Sequence, residues 1–204
     1  VYVVTDAAII RGNIIGLDVN EMSIGGNGNN GVMFYDSTGC SLTENVISDN
    51  VADGVVLRGT SCTACTLVGN WIGTESTATQ IYANGGYGVR AEQGAHDNSI
   101  GIDLTVALAP PNRIWANAGG IGVYIDDSSG FGTIQNEIRQ NSINGHSGLG
   151  IENFSNGNTE EVPPSITSVD YAGMSVSGTS VADMNLIGEQ TDHVQTRSDR
   201  QSEP

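Results

Sequence analysis

The sequence predicts an all-β solenoid, a right-handed parallel β-helix, and three observations carry that expectation. Two short motifs recur along the chain in alternation. The 28 glycines and many asparagines supply corner residues rather than helix formers. No stretch of a dozen residues keeps the 3.6-residue apolar period of a helix.

The first motif is Asn-x-Ile, at Asn13, Asn45, Asn70, Asn98, Asn112 and Asn136, with Met22-Ser23-Ile24 as a variant that lacks its Asn. The second is Gly-Val, at Gly31, Gly54, Gly88 and Gly122, with Gly148-Leu149 as a fifth copy. The two alternate along the chain. From Gly31 to Gly54 is 23 residues, while Gly54 to Gly88 and Gly88 to Gly122 are each 34. The surplus falls in 74–86 and 104–111, rich in Thr, Ala, Asn, Gly and Pro, which read as loops.

Each unit has a direct physical reading. Gly122-Val123-Tyr124-Ile125 and Thr133-Ile134-Gln135-Asn136-Glu137-Ile138 alternate apolar and polar residues, as a half-buried strand does. One coil cannot bury its apolar side alone, so coils stack and share a Val/Ile/Leu interior. Asn suits a left-handed corner and can bond its amide to the Asn of the next coil. Gly permits the bend on the other side.

Composition excludes several classes. A formal charge of -16 repels nucleic-acid phosphates and anionic lipid heads, so neither is an expected partner. All seven basic residues are arginines, which rules out Walker-type phosphate binding and Schiff-base or pyridoxal chemistry. No apolar run reaches the roughly 18 residues that span a bilayer, so membrane insertion is not expected. A start at Val1 rather than Met agrees with a removed leader or a fragment. An extracellular or cell-surface location is the expectation.

Cys40 and Cys62 lie 22 residues apart, close to one coil. Stacked coils sit about 4.8 Å apart, within disulfide reach, so Cys40–Cys62 or Cys40–Cys65 is a candidate bridge. Three buried thiols in an inward row are the alternative.

The stretch Asn70-Trp71-Ile72-Gly73-Thr74 through Gly88-Val89, Gly94-Ala95, Asn98-Ser99-Ile100-Gly101 and Asn112-Arg113-Ile114 to Gly122-Val123-Tyr124-Ile125 resembles the parallel β-helix repeats of secreted bacterial and archaeal surface proteins of the pectate-lyase-like superfamily. The resemblance covers about residues 8 to 155. It implies the fold and says little of function, since such coils serve adhesins, fibres and sugar-cleaving enzymes alike. Gly148-Leu149-Gly150-Ile151 would mark the last coil. The expected division is a β-helix over 1–158 and a strand extension with a polar tail over 159–204. Within the latter, Ser165–Thr179 reads as strand, Asn185-Leu186-Ile187 as one more strand or a coil echo, and 190–204 as disordered.

Candidate sites are few. Gly26-Asn27-Gly28-Asn29-Asn30-Gly31 fits a dinucleotide fingerprint, but a strand follows it where a helix is required, so a corner is the better reading. The same stretch resembles one calcium-binding nonapeptide with Asn30 at the Asp position, where binding needs a stacked series. No cofactor is expected; the plentiful carboxylates leave calcium open elsewhere. Asp103, Asp126-Asp127 and His146 fall about one coil apart each and could line one wall as general acid and base on a glycosidic bond. Against this, Asp126-Asp127-Ser128-Ser129 also reads as a turn. A lyase would need an arginine base beside clustered acids. Arg90 and Arg139 are candidates, neither with acids gathered in its own coil. Trp71, Trp115, Tyr82, Tyr87 and Tyr124 could stack on sugar rings, although core or loop packing suits them better. Asn153-Phe154-Ser155 is a glycosylation sequon.

The expected function is a non-enzymatic structural or adhesive protein, a stalk or filament subunit that self-associates. Val1-Tyr2-Val3-Val4 and Ser165–Thr179 are the strands it could donate to a neighbour. The alternative is a polygalacturonase-like hydrolase or a lyase using Asp103, Asp126, Asp127 and His146, with a carbohydrate partner.

Overall fold

The structure, a computed structural model, describes residues 1–101, 110–158, 165–170 and 175–179. Every regular element among them is a strand. Three strands make a coil. The first coil holds β1 (Tyr2–Val3), β2 (Ile9–Arg11) and β3 (Ile14–Ile15), the second β4 (Val32–Tyr35), β5 (Ser41–Thr43) and β6 (Val46–Ile47). The third holds β7 (Val55–Arg58), β8 (Thr66–Val68) and β9 (Trp71–Ile72), the fourth β10 (Val89–Glu92), β11 (Ser99–Gly101) and β12 (Arg113–Trp115). The fifth holds β13 (Val123–Asp126), β14 (Glu137–Arg139) and β15 (Ser142–Asn144), and β16 (Ile151–Phe154) opens a sixth. Strands three apart in sequence pair in parallel. They build sheet A (β1, β4, β7, β10, β13, β16), sheet B (β2, β5, β8, β11, β14) and sheet C (β3, β6, β9, β12, β15). The chain is an all-β parallel β-helix. Beyond it, β17 (Ser165–Asp170) and β18 (Ser175–Thr179) form an antiparallel hairpin.

The interior is made of in-register apolar rows, because period-2 alternation sends every second residue inward. Sheet A contributes Val32, Val55, Val89 and Val123, then Phe34, Leu57, Ala91 and Ile125. Sheet B contributes Leu42, Leu67 and Ile100, and sheet C Ile47, Ile72 and Ile114. All of these are fully buried.

The Gly-Val repeat has a steric cause, not a conformational one. Gly31, Gly54, Gly88 and Gly122 are not among the residues with positive φ. A Cβ on Gly54 would instead stand 2.6 Å from the Gly88 carbonyl, 2.7 Å from Ile72 Cγ2 and 3.0 Å from Asn84 Nδ2. Each such glycine lets the next coil close onto it. The fifth copy is Gly150-Ile151 rather than Gly148-Leu149: Ile151 pairs with Val123, and the Gly150 carbonyl is what a Cβ on Gly122 would strike at 2.6 Å. Met22-Ser23-Ile24 is no coil strand. Ser23 bridges back to Leu17 in a loop that lengthens the first coil.

Candidate functional site

The most ordered polar architecture lies inside the corners. Between sheets B and C, Asn13, Asn45, Asn70, Asn112 and Asn141 stack one per coil. The Asn45 Nδ2 and N–H both donate to Asn70 Oδ1 at 3.0 Å, and Asn70 donates likewise to Asn112 at 2.9 Å. A second ladder at the corner entering sheet A holds Asn27, Asn50, Asn84, Asn117 and His146. A third, between sheets A and B, runs Asn98, Asn136 and Asn158. In its earlier coils Cys40 and Cys65 take the place of Asn, and their thiols donate to the Thr5 and Ser37 carbonyls as the amides do elsewhere.

The left-handed residue at these corners is the one before the Asn. Gly12, Glu44, Gly69 and Gln140 precede the first ladder with φ between 48° and 69°. Asp97 and Gln135 do the same in the third. That residue turns the chain, and the following Asn then aims its amide inward at corner carbonyls such as Thr43 and Val68, adding a second hydrogen bond to the backbone N–H each already accepts from a neighbouring coil. The Asn-x-Ile motif therefore mixes two ladders and misses the second one. The signal for that one is Asn-x-x-x-Gly-Val, legible at Asn27, Asn50 and Asn84.

The outward face of sheet A carries the densest charge. Arg58, Glu92 and Asp126 share one row across β7, β10 and β13, and Arg90 and Tyr124 share the neighbouring row. Arg58 pairs with Glu92. Arg90 lies 2.6 Å from Glu92, 3.5 Å from Asp126 and 4.0 Å from Asp53. Burial pushes the Asp53 carboxyl above its ordinary range, although the Tyr87 amide and Arg90 pull the other way. Arg90 thus does have clustered acids. Glu92 comes from its own strand and Asp53 and Asp126 from adjacent coils, so a reading of its own coil could reveal only one of the three. Arg139 pairs with Glu137 of the same strand.

Aromatic rings run beside this network. Tyr87 and Tyr124 stack with centroids 4.5 Å apart, and Phe154 follows at 5.9 Å from Tyr124. The Arg90 guanidinium lies 5.9 Å from both tyrosine ring centres. Burial first, then nearby Asp126, pushes the Tyr124 hydroxyl up to about 12. Tyr124 lies between Tyr87 and Phe154, so rings occupy both of its faces and it offers a sugar an edge rather than a platform. Tyr82 sits in a loop beside Met22, Trp115 bonds Ser142, and Trp71 is half-buried on sheet C.

The proposed acid–base set is not one cluster. Asp126 accepts the Ser128 N–H at 2.8 Å and faces Arg90. Asp127 accepts the Gly132 and Thr133 N–H groups and closes the turn. His146 stands at the far end of β13, where a Cβ on Gly122 would come within 3.2 Å of its ring. From Gly122 to Asp126 is four strand residues, about 13 Å. His146 is half-buried, desolvation lowers its pKa, and its buried Nδ1 has no partner. Asp103 lies outside the described residues. Among the described residues no three His, Cys, Asp or Glu side chains converge to hold a metal ion.

The three cysteines are separate, buried thiols. Cys40 and Cys65 precede paired residues Ser41 and Thr66, and Cys65 contacts both other thiols. Its hydrogen bond with Cys62 and its burial push the Cys65 thiol up, and burial does the same to Cys40. Asn153 is exposed, but in register with inward-facing Ile125 at the open end of the coil stack. Both strands expected to be donated are engaged within the chain: Tyr2-Val3 pairs with Met33-Phe34, and the two halves of 165–179 pair with each other. Asn185-Leu186-Ile187 lies outside the described residues.

The fold defines the class, a parallel β-helix with internal Asn ladders. Comparison of the chain with protein-family models, with curated proteins and with solved structures finds no match.

Proposed function

We propose that the chain is a non-enzymatic structural or adhesive β-helix of the extracellular space, similar in kind to secreted pectate-lyase-like surface proteins and built to self-associate through strand edges. One observation carries this reading: among the described residues, the candidate polar groups are engaged in holding coils and turns together. Arg58, Arg90, Glu92 and Asp126 bond one another across coils, Asp127 closes a turn, and His146 occupies a ladder position. Groups so fixed add rigidity along the axis, which suits a stalk or filament subunit. The acid cluster around Arg90 favours the second reading, a carbohydrate-active site on sheet A. Both are separated by one experiment, incubation with neutral and acidic polysaccharides while reducing and unsaturated ends are followed. The parent and Asp126→Asn are expected to release neither; turnover by the parent that Asp126→Asn abolishes would establish the enzyme instead.

A further inference from the structure

Two of the five connections from sheet C into sheet A are longer than the solenoid requires. Those leaving β6, β12 and β15 take seven, seven and six residues (48–54, 116–122 and 145–150), whereas those leaving β3 and β9 take sixteen each (16–31 and 73–88). The long loops belong to the first and third coils and stand on either side of the short turn of the second. Both are anchored on that turn. The Asp49 N–H donates to Tyr82 O at 2.9 Å, the Val51 N–H to Asn27 O at 3.0 Å, and the Ser23 hydroxyl to Asp49 Oδ2 at 2.7 Å.

Carboxylates brace each loop and join the two. Glu75, nearly buried, accepts the N–H groups of Thr77, Thr79 and Gln80 and the Thr79 hydroxyl. Asp18 accepts the N–H groups of Asn20 and Met22 at 2.8 Å each. Glu21 reaches across and accepts the Ser76 N–H at 2.5 Å. Rigid loops on a regular scaffold are the usual place for a binding site.

Between these loops lies a cleft of about 370 Å³, inside the range of small-molecule sites, roughly 300–1,000 Å³. Met22 and the Tyr82 ring give it an apolar side. Among the described residues no other aromatic ring stacks on Tyr82, in contrast to Tyr124. The polar side has hydrogen-bonding capacity to spare. Among the described residues, the Gln80 amide and the Ser76 hydroxyl make no side-chain hydrogen bond, and Glu21 engages Ser76 through Oε2 alone.

This inventory selects a ligand class. The charged side chains that line the cleft, Glu21 and Glu75, are both acidic, so an anionic ligand is repelled. An organic cation would find one free carboxylate oxygen, because both Glu75 oxygens are occupied by the loop. A neutral sugar matches the whole set: its C–H face suits an unstacked ring, and its hydroxyls both donate and accept, as an amide and a serine do. We propose that the cleft binds a neutral mono- or disaccharide, with a pyranose ring on Tyr82 and hydroxyls bonded to Glu21, Ser76 and Gln80. The site supplies the adhesive reading above with a ligand class and rests on it, and it shares no residue with the charged face of sheet A.

The full chain is titrated with galactose, mannose, N-acetylglucosamine, lactose and maltose, with galacturonate and putrescine as the anionic and cationic comparisons. Saturation-transfer NMR reads binding, and hydrogen exchange by mass spectrometry reads its place. At least one neutral sugar is expected to bind and to slow exchange at least threefold over 18–23 and 75–82, with 89–92 and 123–126 unchanged. Ser76→Ala and Gln80→Ala should each weaken binding about five- to tenfold. Tyr82→Phe should leave it unchanged, since that hydroxyl meets only Met22 Sδ, as should Phe131→Ala, which removes an exposed ring elsewhere. Binding of no neutral sugar, preference for galacturonate or putrescine, or slowing over 89–92 and 123–126 instead of the loops overturns the proposal and leaves the structural reading intact. Release of reducing ends from lactose or maltose would sink the non-enzymatic reading, while slowed exchange confined to the two loops would still uphold the cleft as the sugar site.

Discussion

Asn70→Ala isolates what one ladder rung contributes. The Asn70 amide donates to Leu42 O at 2.8 Å, Asn112 Oδ1 at 2.9 Å and Val68 O at 3.3 Å, and its oxygen accepts the Asn45 N–H and Nδ2 at 3.0 Å each. Asn45, Asn70 and Leu42 are all at 0% exposure, so water cannot replace what is removed. A net hydrogen bond stabilises by about 1 kcal/mol, and a buried group left alone costs about 1–3 kcal/mol. Losing the acceptor of the Asn45 N–H and a donor to Leu42 O therefore costs about 3–5 kcal/mol. Asn13→Ala removes a rung at the exposed end, with bonds to Arg11 O and Asn45 Oδ1 only, and is expected to cost under about 1 kcal/mol because water substitutes. Asn70→Asp keeps the acceptor but sets a carboxylate against Leu42 O and Asn112 Oδ1, so it should destabilise at least as much as Ala. Guanidinium unfolding followed by circular dichroism, at constant m, measures all three. Equal losses in Asn70→Ala and Asn13→Ala, or a parent-like Asn70→Asp, would refute the ladder as a source of stability.

Four further outcomes follow from the same geometry. Gly54→Ala should destabilise by about 3 kcal/mol or prevent folding, because its Cβ meets the Gly88 carbonyl at 2.6 Å; Gly28→Ala, with nothing within 4 Å, should stay within about 0.5 kcal/mol of the parent in the same unfolding assay. Arg90→Ala leaves the nearly buried Glu92 with Arg58 alone and removes the partner of Asp53 and Asp126, for a thermal-unfolding loss of about 1–3 kcal/mol. His146 has a lowered folded pKa, so its neutral form is favoured by folding; its contribution is complete above the unfolded value, about 6.5, and is lost as pH falls through the folded one. His146→Asn, which restores a ladder amide beside Asn117, should unfold with a smaller pH dependence over that window, and an unaltered pH profile would count against the assignment. A thiol reagent should find no reactive cysteine in the native protein and all three in guanidinium; recovery of one under denaturation would reveal a disulfide among Cys40, Cys62 and Cys65.

What was legible in the sequence is what repeats within one coil. Val32, Val55, Val89 and Val123 announce a shared interior, because each follows a glycine and each must point the same way. The inserts hide the rest. Loops after Leu17 and Thr74 change the spacing between equivalent residues, so Asn98 and Asn112 look like copies of one motif when they stand at different corners. The same insertions place Arg58, Arg90 and Asp126 at spacings of 32 and 36 residues, where no short motif can join them.

That difficulty is a property of the architecture. In a solenoid a site is written across coils, one or two residues from each, and register rather than sequence separation decides which residues meet. Glu92 shows the consequence: it bonds Arg58 one coil below and Arg90 two residues away, while Asp126 one coil above completes the network. Shifting a single strand by one residue would turn Arg58 or Asp126 inward and replace it with an apolar neighbour. The glycine closures and asparagine ladders that hold register are therefore also what assembles the charged face. A Gly54 or Asn70 variant that keeps the coils but loses the Arg58–Glu92 pairing would separate these roles; loss of both together is what the shared dependence on register requires.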